Sequence, residues 1–256
     1  LSVSPYKNIS EIYRKAKELE EDANRAIKKA EKLTVSRIKP KILRIKEIDH
    51  WYKNLRYFIS SEGFLVIAGR DASQNEALVR KYLNENDIFV HADIHGAPVV
   101  IIKTENKVPS TQTIQEAAEF AAAYSKAWKM GFYAVDVYWV FGKQVSKKAP
   151  SGEYLRKGSF MIYGKRNYLR NVVLRFGVGI MCEDDEIKLI CGPVNIVRSR
   201  TKHYLILVPG KYSRDIISKK IENFFERKIG IKIRNLNKYL DECLPSGGFY
   251  ILKNGD

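Results

Sequence analysis

Short apolar runs with the pattern of β-strands alternate along this chain with helical stretches, and this order restricts the fold more than any other feature. The first two runs, 56–60 and 64–69, are separated by a turn in which Gly63 supplies a positive φ, so they predict a hairpin. Further strands are predicted at 88–95, 98–103, 134–141, 172–181, 186–191, 194–198 and 204–208. This mixture predicts an α+β fold, in which helices pack on a mixed or antiparallel sheet.

Two capping boxes open the predicted helices. The pairs are Ser73 with Glu76 and Thr113 with Glu116. In such a pair, the Ser or Thr side chain and the Glu side chain each accept a hydrogen bond from the backbone N–H of the other residue. We therefore predict helices over 73–84 and 113–130, with Gly131 ending the second, and a further helix over 213–227.

Residues 12–33 have the pattern of a long amphipathic helix. Small or apolar residues are spaced alternately four and three positions apart, at Ile12, Ala16, Leu19, Ala23, Ala26, Ala30 and Leu33. This heptad spacing favours a coiled-coil arm whose partner helix lies upstream of Leu1, in a missing N-terminal part of the same protein. An ordinary amphipathic helix packed on its own domain is the alternative. The charged stretch 35–49 is predicted to be a connection.

These patterns divide the chain into three segments. Residues 1–49 are predicted to be a coiled-coil arm and a connection, and residues 50–170 the main domain. Residues 171–256 are predicted to form a smaller, β-rich C-terminal module with one or two helices. A chain of 256 residues is long enough for one substantial core or two small ones.

The chain is strongly basic, with 45 Lys and Arg residues against 29 Asp and Glu residues and a formal net charge of +16. This excess indicates a polyanionic partner, with nucleic acid as the first choice and an anionic membrane surface as the second. Charge alone does not distinguish between the two partners.

The compartment is predicted to be the cytoplasm. The sequence has no apolar run of about 18 residues and no charged leader followed by a cleavage site, so we expect no membrane insertion. The widely spaced Cys182, Cys191 and Cys243 fit neither a disulfide framework nor a zinc site. They are predicted to be buried thiols in a reducing environment.

Nearly half of the net charge lies between residues 143 and 170, hereafter the basic segment, which holds a single acidic residue, Glu153. Its basic residues are Lys143, Lys147, Lys148, Arg156, Lys157, Lys165, Arg166 and Arg170. Aromatic residues are interleaved with them at Tyr154, Phe160, Tyr163 and Tyr168. Because rings stack on unpaired bases and cations pair with phosphates, the segment predicts an RNA-binding surface. A merely solvated charged face is the alternative.

The motif His91-Ala92-Asp93-Ile94-His95-Gly96 is the second feature with chemical potential. Because alternate residues of a strand share a face, His91, Asp93 and His95 are expected to project together. These residue types suit a divalent metal, so a metal-dependent nucleic-acid hydrolase is the alternative function. A hydrogen-bond network that fixes the ring tautomers is the more ordinary interpretation. Asp93 and His95 are also secondary candidates for RNA contact.

Arg70 and Asp71 follow the second predicted strand and precede a helix. This position suits either a phosphate contact at the helix N-terminus or a local ion pair, and we include Arg70 among the candidate RNA-binding residues. The chain has no P-loop, no GxGxxG motif and no serine with an evident His and Asp partner. We therefore expect no cofactor and no catalysis by the chain itself.

Four strings in the middle of the chain closely resemble the NFACT-R domain of the NFACT family. They are FISSEGFLVIAGRDASQNEALVRKYL (58–83), NDIFVHADIHGAPVVIIK (86–103), EAAEFAAAYSKAW (116–128) and QVSKKAPSGEYLRKGSFMIYGKRNYL (144–169). Farther on, CGPVNIVRSRTKHYLILVPGK (191–211) is similar, more weakly, to the NFACT-C region. The heptads lie where this family places its coiled-coil arm.

This resemblance implies a role in ribosome-associated quality control. Members of the family recognise large ribosomal subunits obstructed by peptidyl-tRNA, which implies ribosomal RNA, tRNA or both as partners. Full-length members recruit charged tRNA for template-free extension of the stalled chain, and the peptide-bond chemistry belongs to the ribosome. The N-terminal domain and helix-hairpin-helix region that serve much of the tRNA recognition are not in this sequence, so the resemblance does not imply tailing by this chain alone.

Overall fold

A computed structural model of the chain describes residues 14–29, 42–45, 49–147, 158–183 and 186–254. Residues 14–29 form a helix, α1, whose residues are all exposed, and the chain from Leu43 onward forms a separate compact unit. On α1, Arg25 forms ion pairs with Glu21 at 3.9 Å and with Asp22 at 3.3 Å. The predicted helix is confirmed over 14–29, while the ends of the heptad pattern lie outside the described residues. Its pairing as a coiled coil stays a prediction.

Most of the remaining chain belongs to two six-stranded sheets and the helices packed on them. The strands are β1 (Ile42–Ile45), β2 (Arg56–Ile59), β3 (Leu65–Ala68), β4 (Ile88–Ala92), β5 (Val100–Lys103), β6 (Ala134–Phe141), β7 (Val145–Ser146), β8 (Met161–Ile162), β9 (Asn167–Val173), β10 (Phe176–Glu183), β11 (Glu186–Gly192), β12 (Tyr204–Tyr212), β13 (Lys232–Arg234) and β14 (Phe249–Asn254). The helices are α2 (Ala72–Lys81), α3 (Thr111–Ala123), α4 (Lys126–Lys129), α5 (Val194–Arg200), α6 (Arg214–Ile229) and α7 (Leu236–Cys243), with a 3-10 turn at Gly142–Gln144. Within the described ranges, no helix is long and apolar enough to cross a lipid bilayer.

The two large sheets differ in topology. The first sheet has the order β2-β3-β5-β4-β6-β9, and all of its neighbouring strands are antiparallel. The second sheet has the order β13-β1-β11-β10-β12-β14, in which β1 runs parallel to β11 while β10 and β12 pair with their neighbours in antiparallel fashion. A two-stranded ribbon, β7-β8, carries part of the basic segment. The predicted α+β fold is confirmed.

One hydrophobic core joins the two large sheets. The ring of Phe58 on β2 lies 4.9 Å from Phe120 on α3, and Phe120 lies 4.9 Å from Tyr124. Tyr124 in turn lies 5.3 Å from Phe176 on β10, so aromatic contacts run from one sheet to the other. The predicted segment boundary after residue 170 falls inside β9, which pairs with β6. The division at 170 into two modules stays a prediction.

The helix predicted from Thr113 begins two residues earlier, at Thr111, and Thr113 and Glu116 have partners outside the helix end. Ser110 is the N-cap, and its hydroxyl accepts from the N–H two residues on. Thr113 donates to the Glu62 carboxylate at 2.6 Å, and the buried Glu116 accepts from the Ser61 N–H at 3.0 Å. The predicted capping box is therefore wrong. Its side chains hold the β2–β3 hairpin turn on α3.

Two other predicted helix boundaries also shift. Asp71 is the N-cap of α2 and accepts from the Gln74 N–H at 2.8 Å. Ser73 lies within the helix, and Glu76 pairs with Lys147 in the basic segment, so this predicted capping box is wrong too. The single helix predicted over 113–130 is two helices, because the chain turns after α3 and Ser125 caps α4. Gly131 follows α4 with the predicted positive φ, 75°.

The segment 194–198, predicted to be a strand, is part of helix α5. Two glycines of β10 give this helix its place. A Cβ atom at Gly177 would lie 2.7 Å from Val197, and one at Gly179 would lie 2.6 Å from Thr201. The β-branched residues of 194–197 therefore pack as a helix against the part of β10 that has no side chains, at Gly177 and Gly179. The sequence pattern of 194–198 alone does not show this contact.

Two predictions outside the first sheet need correction. The connection predicted over 35–49 contains β1, whose Leu43 and Ile45 are buried in the core. Among the cysteines, Cys182 is exposed, whereas the Sγ atoms of Cys191 and Cys243 lie 2.6 Å apart in a partly buried position. Burial raises the pKa of the Cys191 thiol well above its usual range.

Candidate nucleic-acid interface

The start of the basic segment is fixed to the first sheet through backbone contacts. The Gly142 N–H donates to the Asp87 carbonyl at 2.8 Å, and the Lys143 N–H donates to the Glu85 carbonyl at 3.1 Å. A Cβ atom at Gly142 would lie 2.0 Å from the Asn84 carbonyl oxygen, so only glycine permits this approach. The Gln144 side chain then donates to the carbonyls of Tyr163 and Lys165. These bonds place Lys143 and Lys165 on neighbouring turns.

Two tyrosines and two arginines form the centre of the interface, hereafter the tyrosine–arginine face. Tyr138 on β6 and Tyr168 on β9 are paired across the strands, with ring centroids 5.9 Å apart. The guanidinium carbon of Arg166 lies 4.7 Å from the Tyr138 ring centroid, and that of Arg170 lies 4.2 Å from the Tyr168 ring centroid. Each guanidinium group thus lies over a ring, an attractive contact that restricts the rotamers of the arginine, and both arginines are exposed.

Asp136 fixes one edge of this face. Its carboxylate accepts from Arg170 Nη1 at 2.6 Å and from the Asn171 N–H at 2.8 Å. These two hydrogen bonds hold the pKa of Asp136 below its usual range, and the backbone bond from Asn171 is the larger cause. Asn171 has a positive φ of 53° beside an irregularity in the β6–β9 pairing. Asp136 therefore orients Arg170 and neutralises part of its charge.

The basic residues predicted to bind RNA do not all have free charges. Lys147 is partly buried and pairs with Glu76 at 2.8 Å, and Arg170 pairs with Asp136. Lys143, Lys165 and Arg166 are exposed, and within the described part of the chain they have no ion-pair partner. The predicted residues Lys148, Tyr154, Arg156 and Lys157 lie outside the described residues. Tyr163 exposes 52% of its surface beside Lys165.

The predicted arrangement of His91, Asp93 and His95 on one strand is wrong, because β4 ends at Ala92. The Asp93 N–H donates to the Asp136 carbonyl at 2.7 Å, and the chain then turns away from the strand. In the described ranges, no three His, Cys, Asp or Glu side chains are grouped as metal ligands. Asp93 instead lies near the tyrosine–arginine face: the pKa of Arg166 is raised chiefly by a hydrogen bond with Tyr168, and the charge of Asp93 acts in the same direction.

His91 lies beneath the tyrosine–arginine face. Its ring is 6.1 Å from Phe89 and 5.8 Å from Tyr138, on the face of β4 that points away from α3. Burial lowers the pKa of His91 below its usual value of 6.5, and the nearby Arg166 acts in the same direction. A neutral imidazole under the two tyrosines adds no positive charge of its own to the surface.

Acidification below pH 6.5 is expected to destabilise the fold through His91. Because the pKa of His91 is lower in the folded chain, the unfolded chain binds more protons at this residue as the pH falls. The free energy of unfolding therefore decreases with falling pH, by at most about 1.4 kcal/mol per pH unit. His91→Asn should remove this component, and the exposed His95→Asn should not. Urea unfolding at pH 5.5 and 7.5 measures the difference. Equal pH dependence in the His91→Asn variant and the original chain would contradict the assignment.

Arg70 lies away from the tyrosine–arginine face and holds the two ends of the compact unit together. Its Nε donates to the Asn54 carbonyl at 3.0 Å, and its Nη1 donates to the Glu242 carbonyl at 2.7 Å, near the end of α7. Asp71 caps α2 instead of pairing with Arg70, so the predicted local ion pair is not formed. A phosphate contact by Arg70 stays a prediction.

Sequence reasoning missed Tyr138 and Asp136. Both belong to β6, which the alternating pattern predicted as a strand, but their role depends on the register of β6 with β9. An acidic residue in an otherwise apolar strand is the one available signal for Asp136. Guanidinium groups over tyrosine rings, exposed lysines and the exposed ring of Tyr163 beside an antiparallel sheet are features of a nucleic-acid-binding domain.

Comparison with known proteins identifies the family to which this nucleic-acid-binding domain belongs. Residues 54–164 match the NFACT protein RNA binding domain. The matched range contains Tyr138, Lys143 and Tyr163, while Lys165, Arg166 and Tyr168 follow directly after it. The chain belongs to the NFACT family.

Relatives of the chain are named as ribosome quality control factors. The archaeal Rqc2 homolog aRqcH of Methanocaldococcus jannaschii is 38% identical over 210 residues, which cover 82% of this chain and 30% of that protein. The ribosome quality control complex subunit NEMF of Homo sapiens is 41% identical over 179 residues, covering 68% of this chain and 16% of that protein. Ribosome quality control complex subunit 2 of Schizosaccharomyces pombe is 45% identical over 139 residues, covering 53% and 13%. This chain thus spans less than a third of the length of these relatives.

Proposed function

We propose that this chain binds RNA on the ribosome, as part of a ribosome-associated quality control factor, and performs no catalysis of its own. The tyrosine–arginine face carries the proposal, because it places two exposed guanidinium groups over tyrosine rings, next in the chain to the exposed Lys165. The candidate RNA-binding residues are Lys143, Lys147, Lys148, Tyr154, Arg156, Lys157, Lys165, Arg166 and Arg70, with Asp93 and His95 in a secondary role. The names of the relatives support a site on the ribosome.

The geometry suggests a division of labour between these residues. Arg166 is exposed and its guanidinium carbon lies over the Tyr138 ring, so it is able to stack on a base or to form a two-pronged contact with a phosphate. Lys143 and Lys165 are exposed point charges suited to phosphates along the strand. Tyr163 offers an accessible ring for an unpaired base. Single-stranded or looped RNA fits this combination better than a regular duplex.

The finer partners follow from the same proposal. We infer that the RNA is ribosomal RNA, tRNA or both, on large ribosomal subunits obstructed by peptidyl-tRNA, and that the protein therefore acts in the cytoplasm. The exposed helix α1 is proposed to be the end of a coiled-coil arm, paired with the N-terminal part of the same protein. That part is also proposed to supply most of the selection of tRNA.

Replacing Lys165 and Arg166 with glutamine is expected to weaken RNA binding about tenfold at roughly 0.15 M salt, if each residue neutralises one phosphate of a single strand. The slope of log affinity against log salt should fall by about 0.7 for each lost contact. Fluorescence anisotropy with an unstructured RNA at several salt concentrations measures both. The pair Lys219→Gln and Lys232→Gln, exposed residues on α6 and β13, removes the same charge elsewhere. A slope that falls equally in both variants would exclude a localised surface.

Co-sedimentation with large ribosomal subunits tests the partner directly. We expect more of the chain to pellet with subunits that carry peptidyl-tRNA than with empty ones, and less of the Lys165→Gln/Arg166→Gln variant to pellet with either. Equal pelleting with both kinds of subunit would contradict the preference for obstructed subunits. The hydrolase alternative predicts RNA cleavage that a chelator abolishes. Cleavage of that kind, together with stoichiometric metal, would overturn the proposal that the chain is not an enzyme.

A further inference from the structure

A second basic site lies outside the basic segment, in a cavity of about 260 Å³. Its charged lining residues are Arg56, Arg70, Lys126 and Lys129, and no Asp or Glu residue lines it. The wall is completed by the Gly96–Pro98 turn that follows the His91 motif, by Tyr124 and by Ser246 from the C-terminal segment. Hereafter this cavity is the basic pocket.

The positive charge of the basic pocket is not neutralised by the protein. Among the described residues, none of the four cations has an ion-pair partner. The Arg56 Nη1 donates to the Gly69 carbonyl at 3.0 Å, but its Nε is buried without a hydrogen-bond partner in the described part of the chain. Four like charges around one small cavity repel each other, so the pocket favours an anion that carries more than one charge.

The guanidinium groups of the basic pocket are held in place by the fold. Arg56 lies over the Tyr124 ring, with its guanidinium carbon 4.3 Å from the ring centroid. Arg70 is fixed by its bonds to Asn54 and Glu242. Burial and the neighbouring Arg70 and Arg214 lower the pKa of Arg56, which indicates a positive local field. Fixed cations of this kind bind an anion without first losing rotamer entropy.

Size and charge restrict the ligand. A volume of about 260 Å³ lies below the roughly 300–1,000 Å³ typical of sites for whole small molecules or cofactors. The pocket therefore suits one charged group with a little of what is attached to it. A terminal phosphate carries up to about two negative charges and three acceptor oxygens, which match several cationic donors better than the single charge of a carboxylate.

We propose that the basic pocket binds a terminal phosphate, either at the end of an RNA strand or on a free nucleotide. The first source rests on the proposed RNA-binding function, since most of the pocket wall lies within the matched RNA-binding domain. The tyrosine–arginine face contacts the body of a strand, whereas the pocket recognises its end. The two sites are formed by different residues and are separable by mutation.

The test compares a short single-stranded RNA that carries a terminal phosphate with the same RNA that ends in a hydroxyl group. The intact chain is expected to bind the phosphorylated strand about tenfold more tightly, the factor that roughly one added charge-assisted hydrogen bond supplies. The variant Lys126→Gln/Lys129→Gln should lose this preference, because both side chains are exposed at the pocket mouth. The variant Lys219→Gln/Lys232→Gln should keep it. Thermal melting checks that both variants remain folded.

Competition separates the two sources of the phosphate. Displacement of the phosphorylated strand by a nucleoside monophosphate at low concentration would assign the pocket to free nucleotides, and resistance to it would assign the pocket to strand ends. The proposed phosphate site would be excluded if the intact chain bound the two strands equally. It would also be excluded if the Lys126→Gln/Lys129→Gln variant kept the full preference for the phosphorylated strand. In that case, salt-sensitive binding of the strand that ends in a hydroxyl group would still support the proposed RNA-binding function.

Discussion

Replacing Asp87 with alanine is expected to lower the free energy of unfolding by about 3–5 kcal/mol, the cost of removing one partner of a buried ion pair. Only 2% of Asp87 is exposed, and its carboxylate accepts from the Lys103 ammonium group. It also accepts from the backbone N–H groups of Asn84 at 2.8 Å and Thr104 at 3.0 Å. The alanine variant leaves a partly buried ammonium group and two N–H groups without this acceptor.

The chain offers a matched control for Asp87. Asp49 pairs with Lys53 at 2.6 Å by the same chemistry, but on an exposed surface where solvent and salt screen the charges. Asp49→Ala should change urea unfolding little. The double variant Asp87→Leu/Lys103→Met should recover part of the stability lost in Asp87→Ala, because it removes the unpaired charge. Similar unfolding midpoints for Asp87→Ala and Asp49→Ala would contradict the buried pair.

The loss at Asp87 is also expected to reach the RNA-binding surface. The backbone carbonyl of Asp87 accepts from the Gly142 N–H, and the adjacent Glu85 carbonyl accepts from Lys143. The turn that Asp87 stabilises is therefore the turn that positions the first lysine of the basic segment. Stability and the proposed RNA contact are linked at this point through backbone hydrogen bonds, although the Asp87 side chain is itself buried.

Elements with strong local signals were predictable from the sequence. The β2–β3 hairpin, with Gly63 at a φ of 89°, and the strand β6 follow the alternation and turn chemistry of their own residues. Helix α5 was predicted as a strand, because the local pattern of Val194 and Ile196 does not contain the glycines of β10 against which it packs. The N-caps shifted for a related reason, since Glu76 and Glu116 bind residues distant in sequence.

The candidate interface was predictable in its composition and not in its arrangement. Charge and aromatic content singled out Lys165, Arg166 and Tyr168, and each of these residues is exposed. The pairing of β6 with β9 brings Tyr138 and Asp136 to those residues, and it depends on a bulge with a left-handed Asn171. Interactions across strands of this kind have no signature in a single segment of sequence.

The basic pocket had still less signal in the sequence. Its four cations, Arg56, Arg70, Lys126 and Lys129, are separated by up to 73 positions and lie outside the basic segment. Helix α4 brings its lysines to the pocket because Ser125 ends the run of α3 and redirects the chain. The motif turn beside α4 also favours glycine at position 96, because the φ of Gly96 is 84°. The residues of the basic pocket come together only in the folded chain, so the sequence did not predict the pocket.

Replacing Trp128 with alanine is expected to destabilise both sheets together, by about 3–5 kcal/mol. Trp128 on α4 is 1% exposed, and its ring lies 6.5 Å from Phe176 on β10 and 5.8 Å from Phe249 on β14. Its Nε1 donates to the Gly248 carbonyl at 3.0 Å. The alanine variant leaves a large cavity in the shared core and removes one of the two hydrogen bonds that the Gly248 carbonyl accepts, the other coming from the Gly210 N–H at 3.1 Å.

The form of the unfolding transition decides whether the two sheets belong to one cooperative unit. A shared core predicts a single transition that moves as a whole in Trp128→Ala, whether it is followed by calorimetry or by far-ultraviolet circular dichroism. Trp51→Ala is the matched control, because Trp51 is 55% exposed and stacks on Tyr82 at the surface, an interaction worth roughly 0.5–1.5 kcal/mol beyond the buried area. Two transitions, with only one of them shifted in Trp128→Ala, would instead support independent modules on either side of residue 170. In that event the aromatic contacts from Phe58 to Phe176 would join two folding units, and the RNA-binding sheet would keep its structure without the second sheet.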